Sequence, residues 1–413
     1  MIDQLKKVKQ TSNNLVTFSS DEKNQVLKKL ADALRKKSEY ILEKNLLDLN
    51  ELDQNDPLYD RLQLTEERIE EIADSLMQIS NLEDPIEDVI EERTLENKLL
   101  LKKVRVPLGV VAVIYEARPN VTVDVFALTF KTGNACVLKG SSSAQNSNQA
   151  LVQIIHEVLE EQGLSKDIVC LLDIDRDQTK ELLQADDYID VVIPRGGKQL
   201  IDSVRKNSTI PTIETGAGVV HTYFAASGDL EKGKNLIYNA KTRRPSVCNS
   251  LDTLLIQKDR LSDLKDLVSN LQEKNVEIFA DNQSFDELQD FYPQELLHAA
   301  QEEHFGIEFL SLKMSIKTVD GLKQAIEHIQ KYSSKHSEAI ISEDQKEIND
   351  FMKLVDAAAV YSNTSTAFTD GGEFGLGAEI GISTQKLHAR GPMSLKELTS
   401  YKWEIFGTGQ TRN

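Results

Sequence analysis

Leu108-Gly109-Val110-Val111-Ala112-Val113-Ile114-Tyr115-Glu116-Ala117-Arg118-Pro119-Asn120 is the stretch on which the reading of the fold turns. Its first eight residues are apolar without alternation, as expected of a strand covered on both faces in a parallel sheet. Upstream, Lys103-Val104-Arg105-Val106 alternates like an exposed strand, and Pro107 suits an edge or a turn. Downstream, a mostly apolar segment runs to Lys131, and Gly133-Asn134 turns into a second apolar run, Ala135-Cys136-Val137-Leu138-Lys139. Residues 141–148 open a helix with Leu151, Ile154, Ile155, Val158 and Leu159 on one face, stopped by Gly163. Short apolar strands are expected at 168–172 and 189–193, with a helical segment from Gln178 between them. This alternation predicts the α/β class, a parallel sheet with helices on both faces. Ligands on such sheets bind beyond the carboxyl ends of the strands, which directs attention to 116–120, 139–143 and 194–198.

The flanks complete the architecture. Residues 1 to 90 read as helices: Ser20 and Asp21 can cap a segment bearing Val26, Leu27, Leu30 and Leu34, and a second follows Thr65-Glu66-Glu67 with Ile69, Ile72, Leu76 and Ile79. Strand candidates at 252–256, 276–279, 309–316, 339–342 and 357–361, with helices between them, predict a second α/β unit. Trp403-Glu404-Ile405-Phe406 reads as a terminal strand. With 413 residues the chain exceeds one core.

The formal charge of −19 disfavours attraction to nucleic acid or an anionic membrane surface. Any anionic substrate must therefore meet a local cationic pocket. Three scattered cysteines make no disulfide framework and indicate a reducing compartment. No CxxC pair or His cluster has metal-ligand spacing, so no metal is expected. The amino terminus lacks the apolar core of a signal peptide, and no run approaches the roughly 18 apolar residues of a membrane span. A cytoplasmic location is expected.

The chemistry concentrates in Asn239-Ala240-Lys241-Thr242-Arg243-Arg244-Pro245-Ser246-Val247-Cys248-Asn249-Ser250. Pro245 should end a helix begun near Asp229 and leave Cys248 on a turn. Cysteine attacks as the thiolate, which neighbouring cations favour. Arg243 and Arg244 can also receive phosphate or carboxylate through their rigid fork of donors. A small buried hydrophobe is the bland alternative for an arbitrary cysteine, and the polar, cationic neighbours argue against it. Cys136 and Cys170, in apolar strands, are expected in the core. Pro194-Arg195-Gly196-Gly197-Lys198 joins a strand to a helix, where glycines admit close backbone approach and a helix start favours anions. Lys139 with Ser141 can hold a ribose or its phosphate by the same logic. Glu214 stands beside a glycine turn, Thr215-Gly216-Ala217-Gly218, and 369–381 is too glycine-rich for packing alone.

Six ordered motifs resemble one family: VPLGVVAVIYEARPNVTVD at 106–124, KTGNACVLKGSSSA at 131–144, IPRGG at 193–197, STIPTIETGAG at 208–218, NAKTRRPSVCNS at 239–250 and DAAAVYSNTSTAFTDGGEFGLGAEIGISTQKLHARGP at 356–392. These are similar to the glutamate-5-semialdehyde dehydrogenases (gamma-glutamyl phosphate reductases) of the aldehyde dehydrogenase superfamily. The resemblance spans nearly the whole chain and is weakest before residue 90 and between 257 and 305. It implies an aldehyde dehydrogenase-like fold: a Rossmann-like cofactor domain at 1–224, with 95–107 contributing to a strand hairpin for oligomerisation, an α/β catalytic domain at 225–361, and a return segment with an oligomerisation strand at 362–413.

The activity it implies is NADPH-dependent reduction of L-glutamyl 5-phosphate to L-glutamate 5-semialdehyde through a Cys248 thioacyl intermediate, in proline biosynthesis. Another acyl-phosphate reductase, or a hydrolytic aldehyde dehydrogenase on this fold, is the alternative. By resemblance the catalytic set is Cys248, Asn120 and Glu214, the role of Glu214 being open. Substrate is expected at Arg118, Arg243, Arg244 and Glu373. Cofactor is expected at Lys139, Ser141, Arg195, Gly196, Gly197, Gly216 and Glu308, with Glu303 as the alternative for the nicotinamide ribose. A homo-oligomer and functional coupling to glutamate 5-kinase are also implied. One departure stands out: where the family reads Asn-Cys-His after ETGAG, this chain has Val219-Val220-His221.

Overall fold

In the computed structural model, which describes residues 1–53 and 56–412, the run at 110–115 is a strand with all six side chains buried. Internal contacts divide the chain into two units. One holds Met1–Thr215, Gly375–Gly381 and the residues from Pro392 on; the other holds Gly216–Phe374 and Ile382–Gly391.

In the first unit, strands β1 (Val89–Thr94) and β2 (Leu100–Pro107) form an antiparallel hairpin. The carboxyl-terminal strand Thr399–Phe406 pairs antiparallel along the other edge of β2. The hairpin therefore begins at 89, where the sequence suggested helix to about 90 and a hairpin at 95–107. The reason is that β1 is exposed throughout and held by charge rather than by apolar alternation: Glu92 lies opposite Lys102, their side chains 2.9 Å apart.

A separate parallel sheet takes β3 (Val110–Tyr115), β4 (Ala135–Lys139), β5 (Val169–Leu171) and β6 (Val191–Arg195) in the order β5-β4-β3-β6. Its ladder sets Val111 beside both Cys136 and Val191. Because all four strands run the same way, Glu116, Lys139 and Arg195 come out at one edge. The three loops singled out in the sequence thus share that edge.

Helix Asn120–Lys131 follows β3 and is buried from Val121 onward except at Asp124, which is half-buried. Helices Ser20–Lys36 and Glu66–Asn81 pack with it. The first of these is capped by Ser19 rather than by Ser20 or Asp21. Only Ser19 stands three residues before Glu22, the spacing of a reciprocal capping box. Helix Gln145–Glu161 has its first-turn amides taken by buried Asp48, which accepts from the backbone of Asn146 and Ser147 at 3.0 and 2.8 Å.

The second unit is a seven-stranded sheet in which every neighbouring pair is parallel: β7 (His221–Phe224), β8 (Thr253–Gln257), β9 (Glu277–Ala280), β10 (Leu297–Ala299), β11 (Lys313–Val319), β12 (Ser337–Ile341) and β13 (Ala359–Ser362). The order is β10-β9-β11-β8-β7-β12-β13. Strand period decides the two faces. Phe224, Leu254 and Ile256 enter one core with helix Leu230–Thr242, whereas Tyr223 and Leu255 enter the other with helices Leu322–Tyr332 and Gln345–Leu354. Since β7 pairs with both β8 and β12, residues 216–224 belong to this unit. The division falls at 215/216, ahead of the boundary expected at 224.

Candidate active site

In the second unit, helix Leu230–Thr242 starts at Asp229, whose side chain accepts from the Lys232 amide at 2.8 Å. It stops three residues before Pro245, so the turn that follows carries Cys248, half-buried. The turn is pinned on both sides of the sulfur. Leu251 N–H donates to Ala240 at 3.0 Å, and the Asn249 amide donates to the carbonyls of Ala367 and Thr369 at 3.2 and 3.0 Å. Beneath it lie Lys241 and Asp252, both buried and 4.0 Å apart. Burial pushes the lysine pKa down and the carboxyl pKa up, each countered by the other's charge. Lys241 also donates to the Leu251 carbonyl at 2.8 Å.

Across from the nucleophile turn runs the strip 216–221. A Cβ on Gly218 would stand 1.6 Å from the Cys248 carbonyl oxygen, so only glycine lets these two backbones meet. The next amides are each taken by a side chain. Gly218 N–H donates to Glu308 at 2.7 Å, Val219 to Ser334 at 2.8 Å, Val220 to Asp252 at 3.3 Å and His221 to Glu338 at 3.1 Å. Glu308 is thus the glutamate brought to this strip. Glu303, the alternative, is exposed in the short turn Glu302–Gly306, whose neighbouring Glu302 is engaged by Lys331 and Tyr332. Gly216 donates to the Ile382 carbonyl at 3.0 Å and has no room for a side chain against Thr384. Arg243 and Arg244 are exposed, and Arg243 faces Glu373 at 3.9 Å.

In the first unit the strand ends carry the remaining candidates. Asn120 begins its helix and donates through Nδ2 to Asp124 at 3.0 Å. Arg118 is half-buried in the turn before it. A groove at the ends of β4 and β5 is lined by Lys139, Gly140, Ser141, Gln145, Asn148 and Asp173. Burial lowers the Lys139 pKa, against the pull of Asp173. Gly140 has no space for a Cβ, which would fall 2.3 Å from the Asn148 amide.

At the end of β6, Gly197 N–H donates to the Glu116 carboxylate at 3.0 Å, and a Cβ on Gly196 would strike that same carboxylate. The anion cradle expected at 195–197 therefore already holds an anion of the chain's own, and the like charge opposes a phosphate there. Glu214 lies 3.9 Å from the Arg205 guanidinium.

A model of the aldehyde dehydrogenase family matches residues 4–289. Curated relatives called gamma-glutamyl phosphate reductase include those of Pelodictyon phaeoclathratiforme, 57% identical over 99% of this chain and 98% of its own, and of Legionella pneumophila, 53% identical over 100% and 99%. The chain belongs to the aldehyde dehydrogenase family, among its gamma-glutamyl phosphate reductases. The crystal structure of the gamma-glutamyl phosphate reductase of Thermotoga maritima matches with a TM-score of 0.95 at 40% identity, covering 100% of this chain and 99% of that one. An acetylating aldehyde dehydrogenase of Geobacillus thermoglucosidasius, at 18% identity and a TM-score of 0.71, shares the fold.

Against the family's single-nucleophile chemistry, the other two cysteines are poor candidates. Burial pushes the Cys136 thiol up to about 12 and the Cys170 thiol up to about 11, far above any assay pH. Cys136 is core as expected, whereas Cys170, on the edge strand β5, is only half-buried. Several residues around the family's site had no sequence signal as single letters: Asp252, Ser334 and Glu338, scattered over 86 positions of chain, converge on 219–221. Asp124 did have one, as the only acidic residue of a helix that is mostly apolar.

Proposed function

We propose that this member of the family reduces L-glutamyl 5-phosphate to L-glutamate 5-semialdehyde by covalent catalysis on Cys248, with NADPH as cofactor. The observation that carries the reading is the turn at 243–250, where a half-buried cysteine follows two exposed arginines and its own carbonyl meets glycine backbone. Cys248 Sγ attacks the acyl carbon and phosphate leaves, dividing one hard displacement into two easier ones. NADPH, when bound, supplies the hydride that converts the thioacyl group to aldehyde.

An oxyanion forms on the substrate twice along this path, and each fixed donor to it is worth roughly 3–4 kcal/mol. The backbone N–H of Cys248 and the amide of Asn120 are assigned that task. Arg118, Arg243 and Arg244 hold the phosphate and the carboxylate of the substrate, and Glu373, 3.9 Å from Arg243, is assigned its ammonium group. Phosphate replaces water as acyl acceptor in the reverse direction, so Glu214 is assigned no water-activating role.

The strand-end groove is assigned the nucleotide, with Lys139 and Ser141 supplying a cation and a hydroxyl for a ribose phosphate. Glu308 and Gly216 serve the nicotinamide end, and Arg195 with Gly196 and Gly197 lines the strand edge, where the Gly197 N–H donates to Glu116. We further assign cofactor binding to the first unit and the nucleophile to the second, a homo-oligomer built on the β1-β2 sheet, functional coupling to a glutamate 5-kinase, and a cytoplasmic setting.

The test is oxidation of glutamate 5-semialdehyde with NADP, with and without phosphate. NADPH formation that depends on phosphate supports the reading; equal rates without phosphate would make the enzyme a hydrolytic aldehyde dehydrogenase.

A further inference from the structure

Helix Asn120–Lys131 buries Val121, Thr122, Val123 and every residue from Val125 to Lys131, and between them its second turn carries a half-buried carboxylate, Asp124. A carboxylate in such surroundings needs partners. One is Asn120, a turn earlier on the same helix, whose Nδ2 donates to Asp124 Oδ2 at 3.0 Å. The other is Arg195 at the end of β6, whose charge acts on the carboxyl group from the neighbouring strand. Arg195 is itself packed at Gly381, its guanidinium carbon 3.4 Å from where a Cβ would stand. Burial raises the Asp124 pKa to about 6, with both partners opposing the rise, so the group is ionised in a neutral or alkaline assay.

We propose that Asp124 is a positioning residue for the reaction: it accepts one N–H of Asn120 and so aims the second N–H of that amide at the substrate oxyanion, while Arg195 keeps the carboxylate company. This rests on the reading of Asn120 as an oxyanion donor. The physical basis is that an amide has two orientations of nearly equal shape, differing in whether nitrogen or oxygen faces a given neighbour. A carboxylate only accepts, so it selects the orientation with nitrogen toward Asp124. A hydrocarbon at 124 selects neither, and the oxyanion would then meet a carbonyl oxygen part of the time.

The experiment is a double-mutant cycle on the phosphate-dependent oxidation of glutamate 5-semialdehyde at pH 8, with Asp124→Leu, Asn120→Ala and the pair together. Asp124→Leu is expected to lower kcat about 10–100-fold with KM within about twofold, as loss of one oriented donor requires. Asp124→Asn, whose carbonyl oxygen still accepts the bond, should stay within about fivefold of wild type. In the Asn120→Ala background, Asp124→Leu should add almost nothing, because the group it orients is gone. Independent multiplication of the two losses, or wild-type kcat in Asp124→Leu beside a collapsed Asn120→Ala, would overturn the proposal. Wild-type activity in Asn120→Ala would instead overturn the reading of Asn120 on which it rests. If Asp124→Leu does not fold, Asp124→Ser, too short to reach the Asn120 amide, goes through the same cycle.

Discussion

Cys248 differs from the other two cysteines in its surroundings rather than its chemistry. Cys136 is sealed between β3 and β5, and burial holds its thiol protonated at any ordinary pH; Cys170 is held up for the same reason. Alkylation by iodoacetamide at pH 7.5, read by peptide mass spectrometry, is therefore expected to mark Cys248 first and to be slowed by phosphate-bearing substrate. Primary labelling at Cys136 would contradict this. Arg243 and Arg244 are exposed, and we assign them the phosphate and carboxylate of the substrate. Replacing either by Ala should raise KM for phosphate about 10-fold and leave the melting temperature within about 1 °C, since exposed pairs such as Arg243 with Glu373 stabilise the fold little.

At the scale of elements, the strip 216–221 is held by side chains from four other places in the chain, and Gly218 leaves it no slack against the nucleophile turn. Gly218→Ala should destabilise the fold by about 1–3 kcal/mol and abolish activity together, because the methyl group must displace the Cys248 carbonyl. Helix Asn120–Lys131 makes a separate, pH-linked prediction. The folded pKa of Asp124 lies near 6, above the ordinary 3.8, so its protonated form favours the folded state. That contribution is full below about pH 4 and is lost as pH rises through about 6. In thermal melts, wild type should therefore lose ground to Asp124→Asn between these limits; equal pH dependence of the two proteins would show that the carboxyl group is not held as described.

The reading of elements from sequence succeeded where the pattern was strong, as in the unbroken apolar run at 110–115 and the helical period after Ser141. It missed β1, whose Glu91-Glu92-Arg93 carries no apolar alternation and is stabilised by charges opposite it, and the short β10 at Leu297–Ala299. Cys248, Arg243 and Arg244 stood out in the sequence because they lie within six residues of one another, and the structure places them on one turn. The ring of Asp252, Ser334 and Glu338 was not, since only the order of the seven-stranded sheet brings these positions together.

For the molecule as a whole, two features bear on assembly. The carboxyl-terminal strand exposes Tyr401, Trp403, Ile405 and Phe406 on the three-stranded sheet, with Lys103 and Arg93 stacked on its aromatic rings. We assign this exposed apolar edge to the contact between copies of the chain in the proposed homo-oligomer. Trp403→Glu with Ile405→Glu is expected to shift the protein to monomer in light scattering after gel filtration; an unchanged mass would place the interface elsewhere. Cofactor choice, which we assign to the groove lined by Lys139 and Ser141 in the first unit, also belongs to this scale. NADP should be preferred over NAD at equal concentration, and Lys139→Ala should reduce that preference more than it reduces turnover. The most direct test of the central claim is Cys248→Ala in the phosphate-dependent assay, with NADP binding measured alongside by equilibrium dialysis. The account predicts a loss of at least about 10⁴-fold with cofactor binding intact; a variant retaining more than about one hundredth of wild-type activity would contradict it.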